Sequence, residues 1–186
     1  FRFPTLPRGG SELFFNGLSL NPLKIAAAYD TIFAAGVPRI LHDFQMSDLV
    51  RASVEDICPS PYGYAVFLSA DSKTFAVYVD RAKGAALRGA LDGISSDRPL
   101  THEFVMQMLD GLDCKVSRTV IYHVDDGTFF TRMTVEMSNE IGEKIVEIDG
   151  RPSDTFALAM RARAPIFIES SVLETLPDMT GALKKL

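Results

Sequence analysis

Cysteine is scarce in this 186-residue chain, and long apolar runs are missing from it. Cys58 and Cys114 are the only two cysteines, with no CxxC pair and no histidine at metal-ligand spacing. That excludes a disulfide framework and a cysteine-based zinc site; the pair reads as reduced, buried thiols of a cytoplasmic protein. No hydrophobic stretch approaches the ~18 residues of a membrane span. Lys24, Asp30 and Gly36 break the longest candidates, so no membrane partner is expected. Positive charge is also short, with 19 Lys and Arg against 24 Asp and Glu, a net charge of −5. The resulting pI near 5.2 counts against a broad basic nucleic-acid surface, although a local cluster stays open.

What is present is ordinary globular composition, 47% hydrophobic and 23% charged, which excludes a disordered chain. A chain of this length buries roughly 70% of its unfolded surface and needs no covalent or metal staple. It begins at Phe1 rather than Met, which leaves open a preceding targeting segment.

The reading divides the chain into an N-terminal arm and docking helix (1–45), a main domain (46–174) and a C-terminal tail (175–186). Pro4, Pro7, Gly9 and Gly10 mark an arm without its own core. Asn21-Pro22 starts a helix that Gly36 and Pro38 stop. Its Ile25, Tyr29, Ile32 and Phe33 recur at helical spacing, so that helix should dock on the main domain.

From Met46 the pattern turns to strands. Val50, Ala52 and Val54 alternate with polar residues, as do Tyr64, Val66 and Leu68, then Phe75, Val77 and Val79. The short connections Pro59-Ser60-Pro61 and Ala70-Asp71-Ser72-Lys73 make these an antiparallel meander. A helix is expected over Arg81–Asp92 and a polar turn at Ser95-Ser96-Asp97. The next helix carries Phe104, Val105, Met108, Leu109 and Leu112 on one stripe. Strands follow at Val116–Val124, Phe129–Met137 and Lys144–Asp149, with Asp125-Asp126-Gly127 as a hairpin signal. A helix over Ser153–Arg163 and a short strand over Pro165–Ile168 complete the domain. Three strands and a helix thus occur twice, each third strand ending on an aspartate (Asp80, Asp149). The expected class is α+β: two three-stranded antiparallel meanders, each followed by a helix, with an additional helix between them. Duplication and coincidence explain the repetition equally well.

Two segments share a local grammar. Arg98-Pro99-Leu100-Thr101-His102-Glu103 and Arg151-Pro152-Ser153-Asp154 each place Arg-Pro ahead of a helix, with a hydroxyl and a carboxylate in its first turn. One reading is helix initiation alone. Proline presets φ, Thr101 or Ser153 caps, and Glu103 or Asp154 complements the dipole. Capping does not explain the arginines, because a helix N-terminus favours anions. A forked guanidinium there suits a phosphate or carboxylate. An internal pair of Arg151 with Asp149 or Asp154 is the structural alternative. His102 reads as a hydrogen-bonded structural residue or as a base, and Asp126 of the Asp-Gly turn reads as turn chemistry.

In order along the chain, these two segments are joined by Asp126-Gly127-Thr128-Phe129-Phe130 and Ala164-Pro165-Ile166-Phe167. Together the four motifs resemble the bifunctional nuclease domain family over about Met46 to Leu173. The resemblance implies an α+β homodimer with a groove as active site, hydrolysing both DNA and RNA. It also carries the motif residues over as Arg98, Pro99, Thr101, His102 and Glu103, then Asp149, Arg151, Pro152, Ser153 and Asp154. The chain departs from the family at Lys83-Gly84, where members carry an acid followed by alanine, so an activity that needs that acid would be weakened. Gly150 and Thr155 replace small apolar residues, a milder change. Residues 1–45 match nothing in the family, and the tail shows no repair-nuclease-binding motif.

Two functions stay open. For a sequence-tolerant nuclease, Arg98, Thr101, Arg151 and Ser153 bind substrate, and His102, Glu103 and Asp154 are the catalytic candidates. Glu103, Asp149 and Asp154 are the carboxylates expected to hold Mg²⁺ or Mn²⁺, and no organic cofactor is expected. The alternative is a non-catalytic homodimeric module binding an anionic ligand or a protein partner in the same groove, which the acidic net charge favours.

Overall fold

The computed structural model describes residues 13–15, 18–20, 48–61, 63–140 and 142–184. The chain divides into two compact units, 1–43 and 44–186. In the first, β1 (Leu13–Phe15) and β2 (Leu18–Leu20) form an antiparallel hairpin in which Phe15 pairs with Leu18. No strand was expected there. The expected arm over 1–10 and the helix over 22–35 lie outside the described residues.

The second unit runs β3 (Leu49–Ser60), β4 (Gly63–Ala70), β5 (Lys73–Val79), α1 (Arg81–Leu91) and α2 (Thr101–Gly111). It continues with β6 (Cys114–Asp125), β7 (Thr128–Asn139), β8 (Gly142–Gly150) and α3 (Pro152–Ala162). β9 (Ile166–Glu169) and the short helices α4 (Ser170–Thr175) and α5 (Thr180–Leu183) close it.

The fold expectation needs correction. The framework is one seven-stranded mixed sheet in the order β5-β4-β3-β9-β6-β7-β8, not two three-stranded meanders. The strand responsible is β9, which pairs antiparallel with β3 and parallel with β6. Ile166 and Ile168 of that strand are buried, as a central strand covered on its apolar face requires. Parallel pairing needs a crossover, and α3 supplies the return path between β8 and β9.

Local chemistry sets the hairpins. At the β6–β7 turn Asp126 and Gly127 both have positive φ (44° and 73°), the conformation a two-residue hairpin loop needs. Bulges interrupt β3 between Val54 and Asp56, and β6 between Val116 and Arg118 and between Ile121 and His123. Bulges bend a strand and raise its twist. The sheet curls far enough for Phe75 of β5 to stack on Phe129 of β7, ring centroids 6.2 Å apart.

The main core lies where α3 meets the sheet, with Phe156, Ala157 and Ala159 against Val66, Leu68, Phe75, Ile121 and Ile168. α2 covers Val116, Met133 and Val135 through Val105, Met106 and Leu109. On the reverse face Met179 and Leu183 pack on Ala65, Phe67 and Ala76, the alternate residues of the same strands. The cysteines were expected to be buried, but both are free and only partly buried. Cys58 lies next to the turn of the β3–β4 hairpin and Cys114 at the start of β6, positions that the core does not enclose.

Gly84 explains one departure from the family pattern. A Cβ at this position would sit 2.2 Å from Cδ2 of the Tyr64 ring, so the residue next to Lys83 must be glycine while Tyr64 packs there. Alanine improves helix propensity by about 1 kcal/mol, but overpacking of this kind costs roughly 1–3 kcal/mol. Gly84→Ala is therefore expected to lower the midpoint of a urea melt. A raised midpoint would show that Tyr64 moves freely aside.

Candidate active site

The chemistry gathers at the N-terminus of α3. Arg151 occupies the cap position in extended conformation and Pro152 opens the first turn. Arg151 Nε donates to Asp154 Oδ2 at 2.7 Å, one turn along. The other oxygen, Oδ1, lies 3.3 Å from His102 Nε2 on the first turn of α2. One carboxylate thus joins three of the expected site residues and ties two helix starts together. The internal pair of Arg151 with Asp154 named as the structural alternative thus forms, but at the surface, since the Arg151 side chain is 67% exposed. His102 is largely enclosed.

Neither hydroxyl caps its helix. Leu100 and Arg151 hold the cap positions, with no side-chain cap bond from either, and Thr101 and Ser153 come after them. Ser153 is only 4% exposed, and its hydroxyl forms no hydrogen bond with any described residue. It lines a cleft of about 280 Å³ that also contains Asp80, Lys83, Gly127 and Arg151. This cleft places the N-termini of α1 and α3 opposite each other across the β6–β7 turn. Asp80 caps α1 by accepting from Lys83 N at 3.0 Å and pairs with Lys83 Nζ at 2.6 Å. The Lys83 side-chain bond, before the amide bonds, holds the Asp80 carboxyl below its ordinary range. Sequence reasoning noticed Lys83 only as a departure. The signal that could have placed it was the repeat: strand, aspartate and helix start occur at Asp80 as they do at Asp149.

Other expected residues lie apart from this centre. Arg98 is exposed ahead of α2 and forms no ion pair among the described residues. Glu103 accepts from Leu100 N at 2.8 Å and from Ser96 N at 3.3 Å, and pairs with Arg161 Nη1 of α3 at 3.1 Å. Asp149 accepts from Tyr122 Oη at 2.8 Å. Burial, then that bond, pushes the Tyr122 hydroxyl up, and Arg132 lies over the Tyr122 ring, 4.7 Å from its centroid. Thr131 turns to α3, its hydroxyl 2.9 Å from that of Thr155. Its neighbour Arg132, directly opposite Asp149 in the register, therefore faces the reverse side. Asp149 and Asp154 are on opposite faces of the sheet. Among the described residues no three His, Cys, Asp or Glu side chains come together as a metal site. Glu103, Asp149 and Asp154 do not fit Mg²⁺ or Mn²⁺ as a set.

The model of the bifunctional nuclease domain matches residues 66–178, from β4 through the starts of α1, α2 and α3 to the tail. The chain belongs to the bifunctional nuclease domain family. Similar curated proteins are uncharacterized ones from two Mycobacterium tuberculosis strains, CDC 1551 / Oshkosh and ATCC 25618 / H37Rv. Each is 27% identical over 97 residues, 52% of this chain and 55% of the relative. The chain thus spans about half the length of the curated relatives it matches. Within the family pattern, the departures at Gly150 and Thr155 compensate each other. A Cβ at Gly150 would lie 2.7 Å from Thr155 Cγ2, so the glycine makes room for the threonine that bonds Thr131. No helix among the described residues is long and apolar enough to cross a membrane.

Proposed function

We propose that this chain hydrolyses phosphodiester bonds of DNA and RNA with little sequence specificity. The observation that carries this reading is the Asp154 carboxylate, shared by His102 and Arg151 at a helix N-terminus. Anions are favoured where helix amides point outward, and a guanidinium fork matches phosphate geometry. Arg151 and the backbone N–H and hydroxyl of Ser153 hold the phosphoryl oxygens, since Pro152 has no N–H and the Asp154 amide already donates to the Arg151 carbonyl. Thr101 supplies a donor from the facing helix start. Asp154 fixes His102 through Nε2, which leaves Nδ1 to take the proton of the attacking water. Water adds to phosphorus, the bond to the leaving sugar oxygen breaks, and the imidazolium returns a proton to that oxygen. Asp154 stabilises the imidazolium while it lasts. Of the three expected carboxylates, only Asp154 stands at this centre.

The test is purified protein on labelled single- and double-stranded DNA and RNA, with Mg²⁺, Mn²⁺ or EDTA. His102→Ala and Asp154→Asn run beside it to reveal contaminating nucleases. Loss of a general acid–base should slow cleavage roughly 10²–10⁴-fold. Binding that depends on Arg151 without cleavage would favour the non-catalytic anion-binding module, the reading to which the net charge of −5 points.

We also propose a homodimer through α2 and β8. Leu100, Phe104, Met108 and Leu112 leave an apolar stripe of α2 in solvent, and Ile145, Val146 and Ile148 do the same on β8. Val146 and Ile148 stand opposite Val135 and Met133 in the register, so they share the sheet face that α2 covers. β8 is an edge of the sheet among the described residues, and an antiparallel copy of the same edge would pair its outward backbone groups. Phe104→Glu with Ile148→Lys is expected to yield monomer in sedimentation at concentrations where the parent is dimer. Monomeric parent protein at micromolar concentration would defeat the proposal.

A further inference from the structure

A second cavity adjoins the Arg151 cleft. It encloses about 780 Å³ between β5, the β6–β7 turn and α4, within the range of roughly 300–1,000 Å³ that small ligands occupy. Phe75, Tyr78, Tyr122, His123 and Phe129 give it an aromatic wall. Tyr78, Gly127 and Phe129 line both this cavity and the cleft that holds Lys83, Arg151 and Ser153. Tyr78 is 65% exposed, an unusual position for a large ring that no core requires. The aromatic cavity and the cationic cleft are therefore neighbours with a common wall.

We propose that the cavity receives one unstacked base of a single-stranded nucleic acid whose phosphate lies in the Arg151 cleft. The inference rests on the phosphate reading of that cleft and adds the substrate form. A base offers a π-face to stack on aromatic rings and polar edges for groups such as His123, which suits sequence-tolerant binding. A base inside a duplex is already stacked on both sides, so it reaches such a cavity only after leaving the helix. Single strands present it without that cost. The fit is to phosphate and base together: a lipid chain or an apolar peptide would use the cavity and ignore the cleft.

The experiment measures anisotropy of three labelled probes in EDTA: oligo-dT, an abasic deoxyribose-phosphate strand of equal length, and a duplex. The parent protein should bind oligo-dT about tenfold to a hundredfold tighter than the abasic strand, the range of one base–aromatic stack. The duplex should bind no better than the abasic strand. His123→Ala, which removes a ring that lines this cavity and not the cleft, should erase the preference and leave abasic affinity unchanged. Ser171→Trp, an exposed residue of the cavity wall, should do the same by filling the space. Equal binding of oligo-dT and the abasic strand overturns the base site, as does a preference that survives both variants. Abasic binding that Arg151→Ala leaves intact, or absence of any binding, instead removes the phosphate reading and the base site with it.

Discussion

Arg151→Ala is expected to reduce cleavage by roughly 10²–10³-fold, the cost of one lost donor to the transition-state charge. The same change should barely alter stability. The guanidinium is 67% exposed and its partner Asp154 lies one turn away on the same helix. Such exposed pairs contribute about 0–1 kcal/mol. A buried pair would behave in the opposite way, with truncation costing roughly 3–5 kcal/mol by stranding a charge. Arg151→Lys should recover only part of the activity, because an ammonium restores the charge but not the two-pronged geometry. A thermal melt and a cleavage assay on the same preparations decide the matter. Normal cleavage by a folded Arg151→Ala protein would remove Arg151 from the mechanism.

Much of the strand and helix pattern could be read from the sequence because it is local. The Asp126-Gly127 turn needs positive φ at both residues, and the chain supplies residues that tolerate it. The stripe of Phe104, Val105, Met108, Leu109 and Leu112 was also visible, although only Val105 and Leu109 of it pack on the core, and Phe104, Met108 and Leu112 stay exposed. Hydrophobic periodicity marks a face and not the neighbour that covers it; on α2 the buried side belongs to Val105, Met106 and Leu109. What could not be read was long-range pairing. Nothing local to Ile166–Glu169 states that it lies between β3 and β6, and that pairing turns two sets of strands into one sheet. The same limit applies to the site. The two Arg-Pro segments look alike, but His102 and Asp154 meet while Arg98 and Arg151 are not joined by any contact. Local grammar places residues on helix starts, and only the packing of α2 on α3 determines which of them meet.

Glu103 is the strongest case of that limit, and its replacement should produce the largest loss of stability. Its carboxylate takes two amide hydrogen bonds at the start of α2 and an ion pair from α3, with side chains only 11% exposed for Glu103 and 15% for Arg161. Arg161 Nε is already buried without a partner among the described residues. Removing Glu103 leaves the guanidinium without a counter-charge, its Nη1 held only by the Ile94 carbonyl at 3.4 Å, the arrangement that makes single-partner deletions costly. Glu103→Ala should lower Tm by roughly 5–10 °C, and Glu103→Gln by less, since an amide oxygen still accepts from Leu100 N. The pH dependence isolates the charge. The Leu100 amide bond first, then those of Ser96 and Arg161, hold the folded carboxyl below its ordinary value near 4.5. A depressed folded pKa gives stability that is fully present above the unfolded value and is lost as pH falls through the folded one. Asp56 and Asp178 are also depressed, by bonds from Cys58 and Thr180 foremost, so parent and variant both weaken in acid. The gap between parent and Glu103→Gln should stay constant at neutral pH, then close below about pH 4.5 as the parent carboxyl takes up its proton. A gap that persists at low pH would mean that shape, and not charge, is what Glu103 supplies. Held in this way the carboxylate positions α2, and with it His102, against Asp154. Glu103→Gln should therefore keep cleavage within a few-fold of the parent at temperatures well below its melt, unlike His102→Ala.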